Sequence, residues 1–418
     1  MIYILGGGLS GLIVANYFLK VRKITDFKII TLDDHGFAFN RTKDFDFKLA
    51  QRTMFFDDEF SHFLNDVIIF NGLETDFEDL SDNISVYFKG KLHKYPIQNN
   101  LGELDWKDKL AFYWDYFNRK KSKYNDYLHW AISNYGQWMA ENILIPHTWK
   151  TLKDDLTRIN SDSYGKKVIK LNLLRKKKQL CFKYPDNIIN MLRDNVKDYI
   201  IKGKVTDIKF DPNLIYIDNV VNEPLSWKTI VNTIPLPKFM DVFDFKDDEI
   251  MEVAQLSLQW NNMFLGVFIV PSKMVNTFKK IIYFPEPDFM FSKIEIDRKN
   301  GYTVICCECS FRRNDEDKFK CKPYLQEYLN KIENDLIKAK IINSSIISTY
   351  YKDYRIISPA YIIPDSDYKQ CNDFIQAWMN HRKIYNIGRF AEWLPWMRIE
   401  HSYENCDKLF NENDGINI

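Results

Sequence analysis

What this sequence lacks excludes several classes of protein. It contains no run of about 18 apolar residues, the length that a membrane-spanning helix needs, so no transmembrane segment is expected. Its 7 cysteines in 418 residues are too few for a disulfide scaffold. The first residues, MIYILGGG, carry neither a basic stretch nor a small-residue cleavage site, so we expect no signal peptide and a cytoplasmic location.

Charge of one sign and metal-ligand spacings are also missing. Lys and Arg number 58 and Asp and Glu 57, and the net charge of +1 argues against binding of nucleic acid or an anionic membrane through the overall charge, although it leaves room for a local basic patch. The 7 histidines are scattered without metal-binding spacings, so no metal site is expected. Cys306 and Cys309 lie three positions apart in a predicted strand and point to opposite faces, which favours core packing over a redox or metal pair.

The composition is that of a globular protein with many aromatic residues. Apolar residues make up 45% and charged residues 28% of the chain, which is long enough for two or three domains or one large domain. Aromatic residues, at 16%, suit either broad binding surfaces or aromatic cores. Both interpretations stay open for five tryptophans of a predicted helical region: Trp106, Trp114, Trp130, Trp138 and Trp149.

The N-terminus predicts a strand–turn–helix–strand unit. Ile2–Leu5 and Phe27–Leu32 are short apolar runs typical of buried strands, and Leu12–Val21 has helical spacing. A glycine-rich turn joins the first strand to the helix. The pattern is that of a dinucleotide-binding unit.

The turn itself fits the G-x-G-x-x-G motif. Gly6 allows the tight turn, Gly8 lets the backbone approach a pyrophosphate, and Gly11 lets the helix pack closely on the strand. Asp33, at the end of the second strand, is placed to accept hydrogen bonds from an adenosine ribose. A glycine-rich turn without a ligand is the alternative. The position of the motif, in a long chain that returns to an α/β pattern at its end, favours FAD over an exchangeable nicotinamide cofactor.

Periodicity along the rest of the chain predicts mixed helices and strands. A hairpin is expected over Ile84–Phe88 and Lys91–His93, and a long connection from Pro146 to Gly165. The other predicted helices are Asp105–Lys121, Tyr127–Ile143, Pro185–Asn195, Lys322–Lys338, Asn372–Arg382 and Ser402–Phe410. The other predicted strands are Tyr199–Phe210, Leu214–Ile217, Thr229–Asn232, Phe264–Val270, Lys279–Phe284, Thr303–Ser310, Ser345–Tyr351 and Tyr385–Ile387.

Short segments in a shared order resemble one flavoprotein family. The C-terminal Asn386–Trp393 (NIGRFAEW), followed by Glu400-His401-Ser402, resembles the flavin-closing segment of the UDP-galactopyranose mutases and, more widely, of the protoporphyrinogen-oxidase and amine-oxidase-like flavoproteins. Further segments fall in the same order as in the mutases: Val86–Lys91, Tyr95–Leu101, Ile145–Lys150, Asn232–Pro237 and Ala360-Tyr361. Together they span most of the chain.

This resemblance implies an α/β fold with a Rossmann-type FAD-binding domain, an inserted helical domain and an antiparallel β-sheet substrate domain. The FAD-binding domain is expected to be discontinuous, over residues 1–90, 180–245 and 370–418. The helical insert is expected over 95–165 and the sheet domain over 246–369.

The resemblance also implies roles for individual residues. Val205 would contact the adenine through its backbone, and Gly388, Arg389 and Ser402 would close over the flavin. Lys293, Tyr361, Trp393 and the aromatic residues of the helical domain would face the substrate. In the mutases the reduced flavin N5 carries the chemistry on a nucleotide sugar without net redox change, so NAD(P)H is a candidate reductant and no further catalytic residue is assigned.

The sequence departs from the mutase pattern at the substrate positions. The loop expected under the flavin is Asp46–Ala50, which has neither the family's Gly nor its His. A substrate Tyr falls on Leu394-Pro395, with Trp396 next. Two substrate Arg positions fall on Lys293 and on Lys167 or Lys170, and Lys lacks the planar fork that binds a diphosphate with two parallel hydrogen bonds.

These departures keep other functions open. One alternative is an FAD-dependent oxidase, desaturase or C–N lyase of the amine-oxidase type that acts on an aminated small molecule or a modified nucleotide. Another is a non-catalytic FAD-bound scaffold, because the loop with Lys48–Ala50 is altered. In either enzymatic case the expected partner is a small-molecule or nucleotide-linked substrate.

Overall fold

The computed structural model describes residues 1–32, 55–56, 77–168, 179–182, 185–218, 223–243, 248–343 and 351–411. Four sequence-based expectations lie outside these residues: Asp33 at the ribose, the loop with Lys48–Ala50, Lys170, and the strand over Ser345–Tyr351 except for its last residue. None of the helices within the described ranges has the length and apolar character that crossing a bilayer requires.

The strands are numbered in chain order. They are β1 (Ile2–Leu5), β2 (Phe27–Thr31), β3 (Phe55–Phe56), β4 (Phe77–Asp79), β5 (Ile84–Phe88), β6 (Lys91–Lys94), β7 (Leu180–Phe182), β8 (Ile200–Lys202), β9 (Lys204–Phe210), β10 (Asn213–Asp218), β11 (Leu225–Ser226), β12 (Thr229–Asn232), β13 (Trp260–Pro271), β14 (Ile281–Tyr283), β15 (Lys293–Lys299), β16 (Tyr302–Phe311), β17 (Tyr351–Ile362) and β18 (Ile384–Asn386).

The α-helices are numbered in the same way. They are α1 (Leu9–Asn16), α2 (Trp106–Asn118), α3 (Tyr127–Tyr135), α4 (Gln137–Met139), α5 (Ile145–Leu152), α6 (Ser161–Tyr164), α7 (Pro185–Asp194), α8 (Leu236–Met240), α9 (Asp248–Ser257), α10 (Lys322–Lys338), α11 (Tyr368–His381) and α12 (Ile399–Asn411). Wide π-helical turns extend α1 over Tyr17–Arg22 and join α4 to α5 over Ala140–Leu144.

A five-stranded parallel sheet, in the order β18-β12-β1-β2-β8, unites distant parts of the chain. Helices cover both of its faces, which is why its central strands are continuous apolar runs rather than alternating ones. On one face α1, α7 and α12 contribute to one core cluster. On the other face α8, α9 and α11 pack with residues of β9 and β10. This unit has the Rossmann-type α/β architecture expected from the sequence.

A seven-stranded sheet has the order β17-β13-β16-β15-β14-β5-β6. Its neighbouring strands are antiparallel except for the parallel pair β14–β5. The helix α10 packs on one face, against residues that include Cys307 and Cys309, whereas Cys306 packs in a separate cluster. The buried, separated positions of Cys306 and Cys309 confirm that they are core residues.

The helical segment runs from α2 to α6 and packs on β5. The sequence predicted a long connection after Pro146, and this was wrong. Pro146 directly follows the wide π-helical turn Ala140–Leu144 and lies in the first turn of α5, which continues to Leu152. The predicted helix over Tyr127–Ile143 is interrupted instead at Gly136, whose φ of 81° ends α3.

Other differences concern the seven-stranded sheet. Residues up to 90 were expected in the cofactor-binding unit, but the hairpin β5–β6 extends the seven-stranded sheet through β14. The strand β15, most of β17 and the helix α9 were not predicted. The predicted bounds of α10, by contrast, are confirmed at both ends.

Candidate active site

The glycine motif forms the turn between β1 and α1. Gly6 has a φ of +108°, and a Cβ there would meet Thr233 Oγ1 at 2.6 Å. A Cβ on Gly11 would lie 1.9 Å from the carbonyl oxygen of Gly6, so only glycine lets α1 start so close to β1. A Cβ on Gly8 would meet nothing within 4 Å, which leaves open space beside the helix N-terminus. The first turn of α1 has no side-chain cap.

The C-terminal segment converges on this turn. A Cβ on Gly388, whose φ is +107°, would lie 2.5 Å from Ser10 Oγ in the first turn of α1. Ser402 Oγ, in α12, lies 3.4 Å from the same hydroxyl. The structure therefore brings Gly388 and Ser402 to the glycine motif, although the three segments are far apart in sequence.

Val205 lies beside the end of β2. The N–H of Gly203 donates a 2.9 Å hydrogen bond to the carbonyl of Thr31, which fixes the start of β9 at the carboxyl end of β2. Val205 follows in β9 as a buried residue. Dinucleotides bind outside the carboxyl ends of parallel strands, so Val205 lies in the region expected for an adenosine.

A cavity of about 340 Å³ lies where the three structural parts meet. The helical segment contributes Tyr127, His147 and Tyr164, and the seven-stranded sheet contributes Tyr283, Lys293, Glu308 and Tyr361. The stretch after β18 contributes Arg389, Pro395, Trp396, Met397 and Arg398. The cavity is thus continuous with the segment that closes on the glycine motif, because Arg389 follows Gly388 directly.

The lining of the cavity is predominantly cationic. Among its described residues, the basic side chains are those of Lys166, Lys167, Lys293, Arg389 and Arg398, and the single carboxylate is that of Glu308, which pairs with Lys293. Such a concave, positive and partly enclosed surface raises the local concentration of anions.

Lys293 is held between two carboxylates. Its Nζ lies 2.9 Å from Glu295 Oε1 and 2.7 Å from Glu308 Oε1, and all three side chains are buried. Burial alone would lower the pKa of Lys293, but the two carboxylates together raise it well above its ordinary value. The hydroxyl of Tyr361 donates a 2.8 Å hydrogen bond to the other oxygen of Glu308. The two predicted substrate residues, Lys293 and Tyr361, therefore belong to one buried network.

Arg389 and Lys167 are held differently. The Nε and Nη2 of Arg389 are buried without a hydrogen-bond acceptor in the described structure. Burial lowers the pKa of Lys167 well below its ordinary value, and the neighbouring Arg389 lowers it further. Burial likewise lowers the pKa of Arg389. The buried donors of Arg389 that lack an acceptor, next to the amino group of Lys167, form a site that an anion would stabilise.

His147 faces the cavity as a neutral group. Burial lowers its pKa to about 3, helped by the positive charges of Lys150, Lys293 and Lys167. Its ring meets the ring of Tyr283 edge to face at 5.5 Å. At neutral pH its imidazole therefore adds hydrogen-bonding capacity and no charge.

Trp393 does not face the cavity. Its side chain is fully buried in the core beside the parallel sheet, edge to face with Trp260 at a ring distance of 6.0 Å. The helix-domain tryptophans also lie elsewhere: Trp138 is buried in the helical core, and Trp106 and Trp114 face solvent. The aromatic residues of the helical segment that line the cavity are Tyr127 and Tyr164 instead.

Sequence reasoning missed Glu308, Ser10 and Glu392. Glu308 carried a signal, since a lone acid inside the apolar strand pattern of β16 is rare unless it is paired. Glu392 Oε1 accepts a 2.9 Å hydrogen bond from the N–H of Gly388 and so holds the closing turn. Neither Ser10 nor Glu392 differs in the sequence from an ordinary surface residue.

The glycine turn, the C-terminal segment that packs on it and the cavity define a Rossmann-type α/β fold with a cavity between its parts. No model of a known protein family matches the sequence, and no curated protein matches it either.

Solved structures do match the fold along the whole chain. A crystal structure of reduced UDP-galactopyranose mutase is 16% identical, with a TM-score of 0.82, over 98% of this chain and 94% of that one. Cyclohexylamine oxidase from Brevibacterium oxydans IH-35A is 12% identical, with a TM-score of 0.65, over 97% of each chain. A CLA-producing fatty acid isomerase from P. acnes is 13% identical, with a TM-score of 0.64, over 99% and 98%. The chain thus has the fold that these three enzymes share.

Proposed function

We propose that the protein is an FAD-dependent enzyme that acts on an anionic, nucleotide-linked small molecule. The observation that carries this proposal is the positive cavity that Arg389 joins to the glycine motif. The resemblance of separate sequence segments to the UDP-galactopyranose mutases, and the shared fold, support the same conclusion.

The residues at the glycine motif fit an FAD. Open space beside Gly8 and the uncapped first turn of α1 leave room and donors for a pyrophosphate. Gly6 and Gly11 hold that turn, and Val205 lies in the region of the adenosine, with Asp33 proposed for its ribose. Gly388, Arg389 and Ser402 are proposed to close over the flavin end. When bound, the flavin supplies the reactive N5, and the protein supplies binding, orientation and charge.

The chain's own groups would orient the substrate. Arg389 and Lys167 are proposed to pair with its anionic group, which would satisfy the two donors of Arg389 that lack an acceptor in the described structure. Tyr361 holds its hydroxyl proton on Glu308, so its ring forms a fixed wall rather than a base. The rings of Tyr164 and Trp396 line the same cavity and offer flat surfaces for a sugar or a base.

One feature separates this site from that of a mutase. Lys293, at the position of a family substrate Arg, is neutralised by Glu295 and Glu308 and has no charge left for a diphosphate. This favours the second candidate, an FAD-dependent oxidase, desaturase or lyase. The positive cavity disfavours a simple protonated amine as its substrate, because like charges repel inside a partly desolvated site.

A spectroscopic and turnover experiment tests these proposals. The protein, purified in air, is expected to be yellow with flavin absorption bands, or to become so when FAD is added. Under anaerobic conditions the dithionite-reduced protein would be given UDP-galactopyranose or UDP-galactofuranose. Interconversion of the two sugars assigns the mutase reaction.

The other outcomes distinguish the remaining hypotheses. Reduction of the bound flavin by an added substrate, followed by reoxidation in air, assigns the oxidase class. A flavin-loaded protein that binds UDP but converts neither sugar directs the search to other nucleotide-linked substrates. A colourless protein that takes up no FAD would overturn the cofactor proposal.

A further inference from the structure

An exposed apolar stripe runs along the helix α2. The α2 stripe consists of Trp106, Leu110, Tyr113, Trp114 and Phe117. Trp106, Trp114 and Phe117 are 66%, 73% and 75% exposed. Apolar side chains of this size are expensive to leave in water, and a contiguous patch of them marks an interaction surface.

The exposed apolar residues form one face of the helix and are not scattered around it. Successive members lie one, three or four positions apart, which at about 100° per residue places them within roughly one third of the helix circumference. The opposite face carries Phe112, which is buried in the helical core. The helix α2 therefore has two apolar faces, and only one of them is used by the fold.

The acidic side chains of α2 and of its N-cap are engaged away from the stripe. Asp105 pairs with Lys91, and Asp108 accepts a 2.6 Å hydrogen bond from Lys89. Asp115 accepts a 2.7 Å hydrogen bond from the N–H of Trp138. No carboxylate of the helix thus opposes an approaching anionic surface.

Cations flank the stripe. At about 100° per residue, Lys107 and Lys109 fall on its two sides, and Lys107 Nζ lies 5.8 Å from the ring of Trp106. At the end of the helix follow Arg119, Lys120 and Lys121, and then Lys123. An aromatic face bordered by lysines is the pattern of a helix that lies in the interface of an anionic bilayer.

A small polar cavity lies at the basic end of the stripe. It has a volume of about 270 Å³ and is lined by Arg119, Lys120, His129 and Ser133 together with Asp115. The Nε of Arg119 is buried there without a hydrogen-bond acceptor in the described structure. The cavity has the size and charge for a phosphate-bearing headgroup.

We infer that the α2 stripe docks the protein onto a membrane surface that carries anionic phospholipids. The aromatic residues would enter the interface of the bilayer, and the lysines would contact the headgroups. Charge complementarity selects this occupant: a second copy would place two basic borders against each other, which is unfavourable. The inference is independent of the enzymatic reaction.

Vesicle flotation of the full-length protein tests the inference. The probes are vesicles of phosphatidylcholine alone and of phosphatidylcholine with roughly one third phosphatidylglycerol. We expect the protein to float with the anionic vesicles and not with the neutral ones. Because the lysine contribution is electrostatic, binding should weaken as salt is raised to about 0.5 M.

Two double variants divide the surface into its parts. The first variant, Trp114→Gln with Phe117→Gln, removes apolar area. The second, Lys120→Gln with Lys121→Gln, removes positive charge. Each should lower the fraction of protein bound to anionic vesicles at least about fivefold. All four side chains are exposed, so the melting temperature should not change. The matched control is Phe278→Gln, since Phe278 is an equally exposed aromatic residue on a different part of the protein.

Three results would overturn the inference. The first is no flotation with anionic vesicles. The second is equal binding to neutral and anionic vesicles, which would remove the role of the lysines. The third is a dimer, measured by light scattering, that the Trp114 and Phe117 double variant dissociates while the wild-type protein ignores vesicles. That result would assign the stripe to a contact between two copies.

Discussion

Lys293 and Glu308 face each other across the β15–β16 pair, with Nζ and Oε1 2.7 Å apart in the interior of the protein. Glu295, two residues along β15, binds the same ammonium group. Two buried carboxylates thus share one cation at the wall of the cavity.

Replacing Lys293 by Ala should destabilise the protein strongly. The change would leave Glu295 and Glu308 buried without their cation, and breaking a buried ion pair from one side costs about 3 to 5 kcal/mol. Urea denaturation at neutral pH measures this loss. Lys320→Ala, which breaks the exposed pair with Asp317, is the control and should leave the unfolding midpoint unchanged. Equal effects of the two substitutions would contradict the interpretation.

Replacing Arg389 by Met should separate stability from binding. The guanidinium is buried beside Lys167 with donors that lack acceptors, so its removal should leave the melting temperature of the ligand-free protein unchanged or raise it. The affinity of the FAD-loaded protein for UDP should fall at least about tenfold, as measured by calorimetry.

The matched control for Arg389 is Arg382→Met. Arg382 stacks on Trp378 at 3.7 Å, away from the cavity, and its loss should not affect UDP binding. A fall in stability of the Arg389 variant without a change in UDP affinity would show that this guanidinium is structural.

Two glycine substitutions should have opposite effects. Gly8→Ala adds a methyl group to open space in extended backbone, so the protein should fold with an unchanged melting temperature but bind FAD at least about tenfold more weakly. Gly11→Ala places a methyl group on the carbonyl of Gly6 and should destabilise the fold itself.

Fluorescence titration with FAD and thermal unfolding measure the two effects. Gly102→Ala, where a Cβ also meets open space, is the control for the added methyl group. Unchanged FAD affinity in the Gly8 variant would place the pyrophosphate elsewhere.

Glu392 should make stability depend on pH. Burial raises the pKa of its carboxyl from 4.5 to about 7, against the opposing hydrogen bonds from Asn405 and Gly388. Between these values the folded protein holds a proton that the unfolded chain has released, so the free energy of unfolding falls as pH rises from about 4.5 to 7, by up to about 3 kcal/mol.

The free energy of unfolding, measured by denaturation at intervals of about one pH unit from about pH 5 to 8, shows this dependence. Glu392→Gln keeps an acceptor for Gly388 but cannot titrate, so its profile should be flatter than that of the wild type. Glu327→Gln, at an exposed position of α10, should follow the wild type. Parallel wild-type and Glu392→Gln profiles would contradict the assignment.

The sequence predicted those helices and strands whose formation depends mainly on residues within the same segment. The apolar runs of β1 and β2 with the glycines between them, and the periodicity of α10, identify these elements because each is decided within its own segment. Pro146 misled the prediction, because proline usually breaks a helix in its interior, whereas here it follows a wide π-helical turn that leads directly into α5.

The candidate site was less predictable, because strand pairing creates it. The resemblance brought Lys293, Tyr361 and Arg389 into consideration, and these three do line the cavity. Glu308 pairs with Lys293 because strand register places the two residues opposite each other. The pattern of residues within either strand does not reveal this register. Trp393 is close in sequence to Gly388 and Arg389, but its side chain packs in the core beside the parallel sheet.

The strand order of the parallel sheet has a consequence for synthesis on the ribosome. β1 lies between β2, which follows it closely, and β12, which begins at Thr229. At about 5–20 residues per second, translation from β1 to β12 takes roughly 10 to 45 s. Throughout that interval one edge of an apolar strand has no native neighbour.

The nascent chain therefore holds an open pairing edge that a chaperone, or another nascent chain, can occupy. The turn at Gly388 is made later still, so a chain that ends before it keeps the glycine motif but lacks the segment that packs on Ser10.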